Sequence, residues 1–145
     1  MAVQLTDEMR DALASALADG FPVMSASAYA SGQPSLAYFG TAQVFDGERL
    51  AVWVRNPQAG FLRRIAANPQ VALLYRNPRT RTSWQFHGLA RVSTDEAVRR
   101  TVYDNSPEVE RNLDLERKGL AVLIDVVRIL QRGQVIAGEP LDFGD

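Results

Sequence analysis

Apolar residues in the first twenty positions recur every four: Leu5, Met9, Leu13 and Leu17. That spacing predicts an amphipathic helix. Thr6 is placed to cap it, Asp7 and Glu8 stand in its first turn, and Asp19-Gly20 ends it. The period then shortens to two. Residues 21–30 predict a first strand, and Ser31-Gly32-Gln33-Pro34 a turn. Residues 36–45 alternate and predict a second strand. Asp46-Gly47 marks a tight hairpin into a third over residues 49–55. There Leu50, Val52 and Val54 share one side, and Ala51, Trp53 and Arg55 the other.

Residues 58–68 return to helical spacing, with Phe61, Leu62, Ile65 and Ala66 on one face and Asn68-Pro69 as the stop. Residues 71–75 predict a short buried strand. A turn at Asn77-Pro78-Arg79-Thr80 leads to a longer strand over 82–92, with Trp84, Phe86 and Gly88 on one face. Ser93 and Glu96 have capping-box spacing for a helix carrying Ala97, Val98, Val102 and Tyr103. A short helix over 107–115, a buried strand over 120–130 and a last strand over 133–137 complete the pattern. The chain contains no repeat and no linker that would divide it. It reads as one domain over 1–145, with an N-terminal helix within 1–19 and a loose tail over 138–145. Strands joined by hairpins predict an antiparallel sheet. So many strands in a small domain predict a closed or split barrel flanked by helices.

Composition narrows the function. With 145 residues, 46% hydrophobic and 23% charged, the chain can bury its own core without staples. Its 16 basic and 17 acidic residues leave no net positive charge to hold nucleic acid or an anionic membrane. Cysteine is absent and His87 is the only histidine, which excludes thiolate chemistry and a multi-histidine metal site. No apolar run reaches the ~20 residues of a membrane helix, and the N-terminus has no signal-peptide pattern. The expected location is cytoplasmic.

Dinucleotide, P-loop and nucleophile-elbow motifs are all missing. His87 lies in a predicted strand with no marked serine partner. Glu108 with Glu110, and Asp114 with Glu116, are spaced two apart and so do not share a helix face. All but one of the basic residues are Arg, the exception being Lys118. Arg55-Asn56 ends a strand, and Arg63-Arg64 follow within a helix whose first turn offers free N–H groups. Convergent Arg at a helix start is a recipe for phosphate; a solvated Arg pair is the other reading. Arg76, Arg79 and Arg81 form a second cluster, readable as solvated loop charge or an anion site. Trp53, Trp84 and Tyr38 are either core or flat walls for a ring.

Several ordered segments resemble the pyridoxamine 5'-phosphate oxidase-like family, the FMN-binding split barrels. They are Gly32-Gln33-Pro34; Asp46-Gly47 followed by Leu50-Ala51-Val52-Trp53-Val54; Arg64-Ile65-Ala66-Ala67-Asn68-Pro69-Gln70-Val71-Ala72-Leu73; and Phe86-His87-Gly88-Leu89-Ala90-Arg91-Val92. Together they span roughly residues 10 to 136. The resemblance implies a mainly β fold, a six-stranded antiparallel split barrel with flanking helices. It also implies a homodimer with flavin at the interface and oxidoreductase chemistry on a small-molecule substrate at the flavin ring.

Carried over by position, the family's phosphate-holding stretch is Arg55-Asn56, then Ala59-Gly60-Phe61. The usual Ser and Lys are therefore replaced by Ala59 and Phe61, and Arg55, Arg63 or Arg64 would supply the charge. The family's ring-contacting Gln falls on Ser83. The segment containing Tyr38 would run past the ring. The C-terminal Trp and Arg motif of true pyridoxamine phosphate oxidases is absent, so vitamin B6 oxidation is not expected. The implied cofactor is FMN, with a deazaflavin coenzyme as the alternative. A non-catalytic flavin- or haem-binding dimer, and a barrel without ligand, are the readings outside enzymology.

Overall fold

The computed structural model describes residues 3–142. Helix α1 (Asp7–Ser15) is capped as expected, the Thr6 hydroxyl accepting from Met9 N at 3.1 Å. It buries Met9 and Leu13. Strands β1 (Val23–Ala28) and β2 (Pro34–Phe39) form a hairpin. The expected strand over 36–45 is broken after Phe39 and resumes as the two-residue β3 (Gln43–Val44), which pairs with β4 (Arg49–Val54). Thr41 causes the break: its buried hydroxyl accepts from Trp53 N and donates to Trp53 O, both at 2.9 Å, in place of a ladder partner. At the 46–47 turn, the Asp46 carboxylate accepts from the N–H of Glu48 and of Arg49.

Helix α2 (Gly60–Ala67) leads into the hairpin β5 (Gln70–Asn77) and β6 (Thr82–Ser93). Helix α3 (Glu96–Asp104) starts later than expected. Ser93 ends β6, and Asp95 is the N-cap, accepting from Val98 N at 2.9 Å. A four-residue α4 (Glu108–Arg111) stands where a longer helix is expected. The long β7 (Leu120–Gln131) and β8 (Gln134–Gly138) follow.

All pairings are antiparallel, in the order β2-β1-β5-β6-β7-β4-β3, with β8 on β7. The six long strands are expected ones, β8 matches the short strand expected over 133–137, and β3 is the detached end of the strand expected over 36–45, all in one curled, split-barrel sheet. The concave face packs Leu50, Val52, Leu73, Phe86 and Ile124 against α1 and α2. On the other side of β4, Ala51 and Trp53 pack under α3 with Val102 and Tyr103. β4 is thus buried on both faces, so its two-sided apolar pattern is core throughout. Trp84, Phe86 and Gly88 face inward as expected, with Trp84 stacked on Tyr75. Gly88 sits at a bulge where a Cβ would lie 2.5 Å from Ile124.

The opposite face of the sheet carries two rows that cross five strands. One runs Tyr38, Met24, Leu74, Gln85, Leu130; the next runs Leu36, Ala26, Ala72, His87, Arg128. Among the described residues, no helix is long and apolar enough to cross a membrane. Nor do three or more His, Asp or Glu gather there to hold a metal ion.

Candidate functional site

The loop into α2 is shaped by Asn56, whose side-chain oxygen accepts from Gln58 N at 2.9 Å and whose carbonyl accepts from Ala59 N. Phe61 fixes the helix start by packing edge-on against Phe39, with centroids 4.8 Å apart. Ala59 at the N-cap provides no side-chain hydrogen bond, and the first turn has no acidic residue. Neither its N-cap nor its first turn therefore supplies a side chain that answers the positive end of this helix.

Two cations lie there instead. A Cβ built at Gly60 would be 2.9 Å from Arg64 Nη1 and 3.7 Å from Arg63 Nη2. Both guanidinium groups fold back over the helix start, where the dipole disfavours positive charge. Arg63 is exposed and donates to the Gln58 carbonyl at 3.1 Å. Arg64 is only 7% exposed. Its Nε donates to the Ser27 hydroxyl at 2.7 Å, its Nη1 to the Tyr29 hydroxyl at 3.3 Å, and its guanidinium stacks over the Tyr29 ring. Among the described residues no carboxylate pairs with it. A buried cation without a counter-charge is costly unless an anion completes it.

Arg55 lies at the end of β4, with Nε 3.3 Å from the carboxylate of Glu110. That pair draws its charge toward α4. Tyr38 and Ser83 stand elsewhere: Tyr38 is exposed on the outer sheet face, and Ser83 is opposite Arg76 near the β5–β6 turn. One chain thus gathers Arg63 and Arg64 at Gly60, with Asn56 shaping the approach. It leaves Tyr38 and Ser83 on the far side of the sheet. The second arginine cluster disperses: Arg79 stacks on Phe21, and the Arg81 carbonyl accepts from Arg132.

Sequence reasoning missed Ser27, Tyr29 and Glu110. Ser27 left a trace: the alternation of β1 places it with Val23 and Ser25 on the buried face, a polar residue where an apolar one is the rule. A second feature also escaped it. A groove of about 490 Å³ lies on the outer face, bordered by Ser27, Pro34, Asn68, Ala72, His87 and Arg128. His87 is half-buried there. Burial, and then the nearby Arg128 cation, hold its pKa below the ordinary imidazole value.

Residues 5–128 match the family model for pyridoxamine 5'-phosphate oxidase. The chain belongs to that family. No curated protein matches it. Among solved structures of this fold, HupZ of Group A Streptococcus is 20% identical, with a TM-score of 0.69 over 92% of this chain and 99% of that one. An F420 reductase is 20% identical, with a TM-score of 0.59 over 76% of this chain and 89% of that one. An FMN-binding protein from Syntrophomonas wolfei subsp. wolfei is 6% identical, with a TM-score of 0.60 over 86% of each chain. At these identities the likeness is one of fold.

Proposed function

We propose that this chain is a flavin-dependent oxidoreductase that holds the phosphate of FMN at the start of α2 and acts on a small molecule. The observation that carries this reading is Arg64, a buried arginine without a carboxylate partner among the described residues. A phosphate there would accept charge-assisted hydrogen bonds from Arg64 and Arg63 and meet the N–H groups of the first turn. Arg63 and Arg64 thus take over from the missing Ser and Lys. Ser27 and Tyr29 hold Arg64 in place, and Asn56 shapes the loop. When bound, a flavin supplies hydride transfer at its ring. The chain's own part is to anchor and orient.

Tyr38 and Ser83 enter through a second copy. The outer sheet face exposes Leu36 and Tyr38 by 67% and 65%, with Leu74 and Leu89 beside them. Apolar surface gathered on one face suits an interface. A homodimer formed there would cover it and place ring-contacting groups from the sheet face against the anchored flavin. A cytoplasmic location accords with this reading.

A deazaflavin coenzyme is the second reading, favoured by the fold shared with an F420 reductase and by an all-arginine anion cradle. Titration of the purified protein with FMN, riboflavin and deazaflavin coenzyme separates these carriers. Oxidation of NADH by the loaded protein then separates an enzyme from a binding protein.

A further inference from the structure

Strand β4 stands between two cationic sites. Val52 and Val54 pack with Phe61 and Ile65 of α2 in the concave core, whereas Trp53 points the other way, under α3. Over Trp53 lies a cleft of about 190 Å³, lined by Trp53, Glu96, Arg99, Arg100 and Arg117. It shares no residue with the α2 cradle, nor with the exposed sheet face that carries Leu36, Tyr38, Leu74 and Leu89.

Arg99 builds this corner. Its guanidinium lies over the Trp53 ring, 5.0 Å from the centroid. It donates to the Gly119 carbonyl at 2.9 Å and to the Arg117 carbonyl at 3.1 Å. Those bonds tie α3 to the turn before β7, and they need neither the Arg100 nor the Arg117 side chain. Arg100 is exposed and pairs with no carboxylate among the described residues. Arg117 holds φ at +55°, a left-handed backbone that glycine or asparagine adopts at lower cost. Its guanidinium stacks on Tyr103, 4.3 Å from the centroid. Its ion pair with Asp104, at 3.4 Å, is half-exposed and adds little stability. Local structure therefore does not account for the two extra arginines. Glu96 is the one carboxylate lining the cleft, and its side chain is 84% exposed.

We infer that this cleft binds a phosphate group, free or on a small ester. Three guanidinium groups against one exposed carboxylate leave a positive surplus, which a phosphate monoester, at about −1.5 to −2 near pH 7, offsets. Arginine meets phosphate with paired, charge-assisted hydrogen bonds. The cleft is smaller than the roughly 300–1,000 Å³ that encloses a whole drug-sized ligand, so it takes the charged head and leaves the remainder in solvent. The inference does not rest on the flavin reading.

The probes are glycerol 2-phosphate, inorganic phosphate and glycerol, titrated calorimetrically at constant ionic strength. The intact chain is first saturated with FMN, so that the α2 cradle is filled; Arg64→Met without FMN is the parallel sample. Glycerol 2-phosphate should bind saturably, one per chain, in both samples, and glycerol should not bind. Tighter binding of glycerol 2-phosphate than of inorganic phosphate assigns the cleft to an ester; the reverse, or equality, assigns it to the free ion. Arg100→Gln and Arg117→Gly should each weaken phosphate binding at least fivefold. Both should fold, since Arg100 is exposed and glycine suits the backbone at 117. The inference is overturned if neither phosphate binds the FMN-saturated chain, if glycerol binds as well, if either variant binds as the parent does, or if Arg64→Met abolishes binding. FMN affinity, which these two variants should leave within twofold of the parent, distinguishes failure here from failure of the α2 cradle.

Discussion

Replacing Arg64 with methionine separates a phosphate anchor from a structural arginine. Arg64 is 7% exposed, its guanidinium bonds Ser27 and Tyr29, and it meets no carboxylate among the described residues. Methionine keeps most of the volume and removes the charge. Two opposing terms set the stability of the free protein. Loss of Arg64 leaves the buried Ser27 hydroxyl unpartnered, which costs about 1–3 kcal/mol. Removing a desolvated, uncompensated cation returns several kcal/mol. The terms nearly cancel, so Arg64→Met should remain folded within about 2 kcal/mol of the parent, a Tm change under ~8 °C. Ligand binding has no such offset. One charge-assisted hydrogen bond to phosphate contributes about 1.5–3 kcal/mol, so FMN affinity should fall about 10- to 150-fold. Riboflavin lacks the phosphate and should bind parent and variant alike. The assay is quenching of flavin fluorescence, with thermal denaturation of the free protein alongside. A folded Arg64→Met protein that binds FMN within twofold of the parent would refute the reasoning. So would a variant that loses FMN and riboflavin equally.

Three further outcomes follow from particular contacts. Glu110→Gln releases Arg55 from a half-exposed ion pair of about 0–1 kcal/mol, so FMN should bind up to about fivefold tighter; weaker binding in the same titration would place Arg55 outside the site. Gly88→Ala puts a Cβ 2.5 Å from Ile124 and 2.7 Å from the Asp125 carbonyl, and should cost about 1–3 kcal/mol by urea denaturation. The pKa of His87 is held down in the fold, so the unfolded chain takes up its proton first. Stability should therefore rise with pH through the ordinary imidazole range and be lost as pH falls below about 6.5. Urea midpoints at pH 7.5 and 5.5 should differ less for His87→Gln than for the parent.

Period and punctuation made most of the elements legible. The alternation in β4 and β6, the four-residue stripe of α1 and the turn residues at 31–34 and 77–80 act locally, so the sequence alone carries them. Long-range contacts did the rest. Thr41 ends β2 because its hydroxyl bonds Trp53, a partner twelve residues away and unmarked in sequence. Ser93 loses the cap of α3 because β6 pairs it with Ala121, leaving Asp95 to cap. The candidate site divides in the same way. Arg63 and Arg64 were readable from their place in a helix with an uncapped start. The burial of Arg64 by β1, and the pull of Glu110 on Arg55, depend on tertiary packing. So does the His87–Arg128 groove, because only the β6–β7 register brings those two residues together.

The measurement that bears most directly on the central claim is titration of the unmodified protein with FMN and with riboflavin, followed by visible absorption and flavin fluorescence. If Arg64 anchors a phosphate, FMN binds at least tenfold tighter than riboflavin and its spectrum shifts on binding. Equal affinity for the two, or no binding of FMN, would contradict that claim.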